Sequence, residues 1–183
     1  RSVEGIVKEI KKAICNGFSE ITLLGQNVNS YNYNDKKFPE LLDVIAKVDG
    51  LKRIRYTSPH PQDINEELLE IMAKHDNICN YIHLPLQAGS NRILKRMNRT
   101  YTKENFIELA EKIRIMLPGV GISTDISVGF PGETDQEFDE TLEVMKKVKF
   151  DSAFTFKYSP RKGTKAIEYD DQLGEDKKQH RLT

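Results

Sequence analysis

Five short apolar runs, each closed by a polar turn and followed by an amphipathic segment, constrain this chain more than any other feature. They are Ile21–Leu24, Arg53–Thr57, Tyr81–Leu84, Ile122–Val128 and Ser152–Tyr158. Runs this short, bounded by turn residues, read as strands. Helical patterns separate them. Pro39 opens one that carries Leu41, Leu42, Ile45 and Val48. Asn65 caps another with Leu68, Leu69, Ile71 and Met72. Ser90 caps a short one over Asn91–Met97. A longer one starts at Thr102, with Phe106, Leu109, Ala110, Ile113 and Leu117 on one face. Thr134 and Glu137 have capping-box spacing ahead of Phe138, Leu142, Met145 and Val148. Strands joined through helices at a repeat of about thirty residues must run parallel, because a helical crossover returns the chain in the same direction. The class is therefore α/β, and this pattern does not separate a closed barrel from an open sheet.

The alternation opens on a helix: Val3, Ile6, Val7, Ile10 and Ile14 share a face. A helix in first place implies a strand before it, so Ile21–Leu24 is expected as an unpaired edge. Tyr31–Lys37 reads as a polar loop. The tail from Lys165 is polar, with a short exposed helix expected over Glu175–Leu182. Residues 1–164 are expected to form one unit and 165–183 a linking tail. A length of 183 residues with 38% hydrophobic and 31% charged residues suits a folded domain. No apolar run approaches the roughly 20 residues of a membrane span. The 28 basic and 28 acidic side chains cancel, so net charge makes no case for nucleic acid, although a local patch can. Cys15 and Cys79 read as reduced thiols of a cytoplasmic protein.

Parallel sheets bind ligands at the carboxyl ends of their strands. The candidates there are Gln26, Asn27 and Asn29; Thr57, Ser58 and His60; Gln87 and Ser90; Asp125 and Glu133; and Tyr158, Ser159 and Arg161. Asp125 stands inside a strand that should be buried, so it needs either a structural hydrogen bond or a ligand. His83 reads as a hydrogen-bonded core histidine. The turn Gly129-Phe130-Pro131-Gly132-Glu133-Thr134 lacks the Gly-Lys-Ser/Thr of a P-loop, yet its glycines permit close backbone approach. Arg92, Lys95, Arg96, Arg99 and Lys103 form either a solvated helix face or a phosphate-contacting patch, which Arg161 and Lys162 extend. Tyr31 and Tyr33 could stack on a base. His60, His83 and Asp125 lack the spacing of a metal site.

Several motifs, in order, then carry a resemblance. They are Leu24-Gly25-Gln26-Asn27-Val28-Asn29-Ser30-Tyr31, Thr57-Ser58-Pro59-His60-Pro61, His83-Leu84-Pro85-Leu86-Gln87-Ala88-Gly89-Ser90-Asn91-Arg92, Met97-Asn98-Arg99-Thr100-Tyr101-Thr102, Thr124 through Thr134, and Phe154 through Thr164. On these the chain resembles the radical S-adenosylmethionine methylthiotransferases. The Gln-Asn-Val-Asn-Ser-Tyr segment favours the branch acting on tRNA adenosine over those acting on a ribosomal protein or on threonylcarbamoyladenosine.

The resemblance implies a partial (β/α)6, TIM-like barrel that here lacks its first strand and cluster loop. It implies S-adenosylmethionine at the strand ends and two [4Fe–4S] clusters in the parent protein, with a deoxyadenosyl radical formed by reductive cleavage. The implied reaction places sulfur and a methyl group on C2 of an isopentenyl-type adenosine beside the anticodon. Implied partners are the tRNA anticodon stem-loop, a reductant such as flavodoxin or ferredoxin, and a sulfur donor, with no membrane. Carried over by position, Gln26 and Asn27 face the methionine part of the cofactor, and Gln87 and Ser90 its ribose or sulfonium. Asp125 and Gly129 line the pocket, and Tyr158 lies on the strand near the adenine. Arg92, Arg96, Arg99 and Arg161 are the implied nucleic-acid contacts. The chain departs from the family in lacking its Cys-x3-Cys-x2-Cys loop. By that measure it is a fragment beginning just after the loop and inactive alone. An alternative role is a tRNA-contacting scaffold. A hydrolase or aldolase barrel sharing these turns is a third reading.

Overall fold

The computed structural model describes residues 1–57 and 60–183. In chain order the elements are α1 (Val3–Cys15), β1 (Glu20–Leu23), β2 (Asn32–Tyr33), β3 (Lys36–Lys37), α2 (Phe38–Ala46), β4 (Arg53–Tyr56), α3 (Glu66–Lys74), β5 (Tyr81–His83), α4 (Asn91–Arg96), α5 (Lys103–Met116), β6 (Gly121–Val128), α6 (Asp135–Val148), β7 (Ser152–Lys157) and α7 (Glu175–Leu182). All five expected strands form, within a residue or so of their expected ends. Among the described residues no helix is long and apolar enough to cross a membrane. The chain divides into two compact units, residues 1–83 with 113–121, and residues 84–112 with 122–183.

In the first unit β1 runs parallel to β4, with Glu20 opposite Arg53 and Leu23 opposite Tyr56. Ile54 continues the pairing to Ile78, with Ile54 N–H donating to Asn77 O at 2.8 Å and Cys79 N–H to Ile54 O at 2.9 Å. β4 alternates between exposed arginines and buried Ile54 and Tyr56, which fixes its register by burial. Glu20 binds Arg53 and Arg55 across the strand pair, at 3.0 and 2.8 Å. Phe38, Leu42, Ile45, Leu68 and Leu69 close the core, and Phe38 meets Tyr56 edge-on at 5.3 Å. Ser2 caps α1 by accepting from Gly5 N–H. Asn65 caps α3 through Leu68 N–H.

The segment expected as a loop at Tyr31–Lys37 instead contains an antiparallel hairpin, β2 against β3. Its two turn residues, Asn34 and Asp35, have φ of 49° and 62°. Two consecutive left-handed residues are what a two-residue hairpin turn demands, and Asn and Asp tolerate that conformation best after glycine.

In the second unit β6 runs parallel to β7, with Asp125 opposite Phe154 and Ser127 opposite Phe156. The chain after β5 lies along β6: Leu84 N–H donates to Ser123 O at 2.7 Å and Leu86 N–H to Thr124 Oγ1 at 3.0 Å. Gly89 is needed where this segment passes α6. A Cβ there would lie 2.4 Å from Thr141 Cα. The expected capping box forms, with Thr134 Oγ1 accepting from Glu137 N–H and Glu137 accepting from Thr134 N–H. The helix over Glu175–Leu182 is present but is not an exposed one. Its Lys178 and Arg181 are buried. The reason is electrostatic: Arg181 finds carboxylate partners inside this unit, which lets a charged side chain leave water.

Candidate functional site

In the first unit the strand-end residues bind one another. Asn27 Nδ2 donates to Asp63 Oδ2 at 2.6 Å. Its Oδ1 accepts from His60 N–H at 3.3 Å, and Asn29 Oδ1 accepts from the same N–H at 2.9 Å. Asn29 Nδ2 donates to His60 O at 3.1 Å. Two amides thus lock the loop after β1 to the loop after β4, and Asn27 spends both ends of its amide doing so. Gln26 is exposed, Thr57 is exposed, and His60 is half-buried with Nδ1 accepting from Gln62 N–H. Ser58 lies outside the described residues. Tyr31 donates to Arg1 O at 2.8 Å, and burial raises its phenol pKa above the ordinary value. A cleft of about 540 Å³ adjoins this loop, lined by Ile6, Ile10, Leu23, Gly25, Asn27 and Tyr31 among others.

In the second unit Gln87, at φ 69°, joins the edge of β6. Its N–H donates to Asp125 O, and its O accepts from Ser127 N–H, both at 2.8 Å. This places Gln87, half-buried, beside half-buried Asp125 and Ser127. Along β6 the residues Thr124, Ile126 and Val128 are buried, so Asp125 and Ser127 point to the other face. Their register partners Phe154 and Phe156 share that face and are 53% and 54% exposed. The result is a surface that alternates carboxylate and hydroxyl on one strand with two aromatic rings on the next. His83 is half-buried.

The turn after β6 carries two left-handed glycines, Gly129 at φ 73° and Gly132 at φ 75°. Glu133 Oε2 accepts from Gly129 N–H at 2.7 Å. Arg181 Nη1 donates to the same Oε2 at 2.6 Å and to Glu133 O at 3.1 Å, and its Nη2 reaches Asp135 Oδ1 at 2.7 Å. At the other end Arg92 Nη2 donates to Gly132 O at 2.5 Å and to Glu137 Oε2 at 2.7 Å, with Nε on Glu137 Oε1 at 2.7 Å. Ser90 is buried. Its Oγ donates to Glu137 Oε1 at 3.0 Å while accepting from Ile93 N–H. Tyr158 packs its ring edge-on to Phe130 at 5.1 Å. Its hydroxyl is buried with no hydrogen-bond partner among the described residues.

The basic residues are largely paired. Arg96 Nη2 binds Asp171 Oδ1 at 2.7 Å, and its guanidinium lies 4.4 Å over the Tyr169 ring. Lys103 binds Glu140 at 2.5 Å. Arg99 is half-buried, while Lys95, Arg161 and Lys162 are exposed. Glu137 titrates far from its usual range. Burial pushes its pKa up, but the hydrogen bonds from Arg92, Thr134 and Ser90 outweigh that and hold it at about 2. The folded-state value is depressed, so the stabilisation is complete above 4.5 and is lost as pH falls toward about 2. Urea unfolding across that window should show a loss that is smaller in Glu137→Gln by on the order of 2–3 kcal/mol, with other depressed carboxylates such as Asp43 still contributing.

Of the strand-end residues read from the sequence as cofactor contacts, the second unit holds Gln87, Ser90, Asp125, Gly129 and Tyr158, and the first holds Gln26 and Asn27. Sequence reasoning missed Arg181, Lys178, Tyr169 and Asp171, since polar tail residues carry no periodic signal. The described residues include no group of three or more His, Cys, Asp or Glu able to hold a metal. Cys15 is exposed and Cys79 half-buried, and both are free thiols. An iron–sulfur cluster held by three thiolates therefore does not fit the residues of this chain. The second unit offers groups of another kind: half-buried Asp125 and Ser127 opposite the exposed Phe154 and Phe156 rings, and, buried apart from them, the orphaned Tyr158 hydroxyl.

The model of the radical SAM superfamily matches residues 1–145. A tRNA-2-methylthio-N(6)-dimethylallyladenosine synthase from Finegoldia magna is 52% identical over the whole chain, which covers 40% of that relative. The synthase of the same name from Carboxydothermus hydrogenoformans is 50% identical, with 42% of its length covered. The chain thus spans about two fifths of the curated relatives it matches. Among solved structures, Escherichia coli coproporphyrinogen III oxidase, described as a radical SAM enzyme, superposes with a TM-score of 0.69 at 15% identity. That match covers 98% of this chain and 44% of that one. Methanocaldococcus infernus Elp3 superposes with a TM-score of 0.53 at 16% identity, over 88% of this chain and 43% of that one.

Proposed function

The chain belongs to the radical SAM superfamily, and from that membership we propose that the protein carrying it is a tRNA methylthiotransferase. Its substrate is an N6-isopentenyl-type adenosine next to the anticodon, modified at C2. The observation that carries this reading is identity of about half, over an alignment that covers the whole chain, with proteins named for that product. S-adenosylmethionine supplies the methyl group and the radical-forming chemistry when bound. The chain's own part is to bind and orient. Asp125 and Ser127 offer a carboxylate and a hydroxyl to polar groups of the ligand, and Gln87 adds an amide at the same edge. Phe154 and Phe156 present flat faces to a heterocycle, while the close approach that Gly129 permits is taken by Lys178. Arg161, exposed in the segment that follows β7, and Arg99 are the remaining contacts we assign to RNA phosphate. Arg92 and Arg96 reach it only by giving up their carboxylates. In the first unit Gln26 is exposed and Asn27 spends its amide holding the shape of its own loop. The iron–sulfur chemistry of the superfamily is assigned to no residue of this chain. A reductant of the flavodoxin or ferredoxin kind, a sulfur donor and a cytoplasmic setting complete the proposal.

The test is the full-length protein, prepared without oxygen and supplied with iron, sulfide, a reductant and tRNA. Nucleoside mass spectrometry should find the methylthio adduct on the isopentenyl-type adenosine. Cleavage of S-adenosylmethionine with methylthio product only on a ribosomal protein, or only on threonylcarbamoyladenosine, would overturn the substrate. No cleavage at all would overturn the reaction class.

A further inference from the structure

Helix α7 meets the glycine turn through Arg181 and Lys178. Glu133 Oε2 is shared between Gly129 N–H and Arg181 Nη1, at 2.7 and 2.6 Å. The Arg181 and Glu133 side chains are each only 1% exposed. Lys178 lies over Gly129 so closely that a Cβ there would meet its Cγ at 2.5 Å. The Lys178 ammonium is 5.4 Å from the Tyr158 ring centre. A buried ion pair is a poor way to glue a helix down, because apolar side chains of similar volume hold as well without desolvating charge. What the pair supplies is direction. The planar guanidinium presents N–H groups at fixed angles, so it sets where the carboxylate stands. The carboxylate in turn sets the left-handed Gly129, whose N–H has it as acceptor.

We propose that Arg181 is a positioning residue for the Gly129–Glu133 turn, acting through Glu133, so that docking of α7 sets the geometry of the turn. The consequence for cofactor binding rests on the reading of that turn as a cofactor wall. Without Arg181, buried Glu133 loses the cation paired to its Oε2, and it must leave or take up a proton. Gly129 then loses its charged acceptor.

The experiment uses the full-length protein with Arg181→Met, Arg181→Lys and the double variant Glu133→Gln/Arg181→Met. Three quantities are read: hydrogen exchange at the Gly129 amide, stability in urea, and KM and kcat for S-adenosylmethionine. Arg181→Met should speed Gly129 exchange about tenfold and raise KM about tenfold, with kcat within about twofold. Arg181→Lys, which keeps a charge, should recover part of both. The double variant removes both buried charges, so it should regain stability yet keep fast exchange and the raised KM. It also carries the test should Arg181→Met fail to fold. If stability, exchange and KM all return to parental values in the double variant, the pair is merely structural and the proposal falls. Unchanged Gly129 exchange in every variant overturns it as well. Fast exchange with unchanged KM supports the positioning role and removes the turn from the cofactor site.

Discussion

Gly89→Ala is expected to destabilise the second unit by about 3 kcal/mol, at the top of the usual range for overpacking. The added methyl would sit 2.4 Å from Thr141 Cα and 2.6 Å from Glu140 O. Both are main-chain atoms of α6, so no flexible side chain can swing away. The strain also falls on a hydrogen bond, since Gly89 N–H donates to Thr141 Oγ1 at 2.8 Å. Moving α6 outward would disturb Glu137 and with it the grip of Arg92 on Gly132 O. Moving the other side would shift Gln87, two residues upstream and paired to β6. Urea unfolding reads the first effect. The companion Thr141→Val removes the hydroxyl and leaves the main chain in place, and so measures the hydrogen bond apart from the steric clash.

Phe38→Ala should cost about 3–5 kcal/mol. The ring is fully buried in the first unit and packs edge-on against Tyr56 at 5.3 Å. Its loss leaves a cavity beside Tyr56, in a core where Leu42, Ile45 and Ile54 are also fully buried. Phe38 is the first residue of α2, followed directly by Pro39, so the helix start has little freedom to collapse inward. Phe38→Leu, which keeps much of the volume, should cost clearly less. Denaturant midpoints for the two variants check both the size and the order of the effects, and equal midpoints would contradict the cavity account.

How far the sequence alone reaches differs from element to element. The strand at Gly121–Val128 was legible because one face of a parallel strand is apolar whatever packs on it. The Thr134–Glu137 box was legible because capping is a contact between residues three apart. The Asn34–Asp35 turn was legible in principle, yet a hairpin with only two paired residues per strand offers too little alternation to stand out. Asn27 and Asn29 were recognised as strand-end amides. That both serve His60 and Asp63 depends on loops some thirty residues apart in sequence. Arg92 and Arg96 read equally well as a solvated face or a phosphate patch, because the distant carboxylates of Glu137 and Asp171 leave no mark on the local pattern.

What the sequence determines by itself is therefore whatever short-range physics decides: the α/β alternation, the helix starts and the polar strand ends. Its order of motifs also carries the family. Tertiary structure alone decided which charges are spent on one another. Arg181 is the clearest case. Nothing in the composition of a polar tail marks one arginine for burial, since the free energy of placing that charge depends on whether Glu133 and Asp135 meet it there.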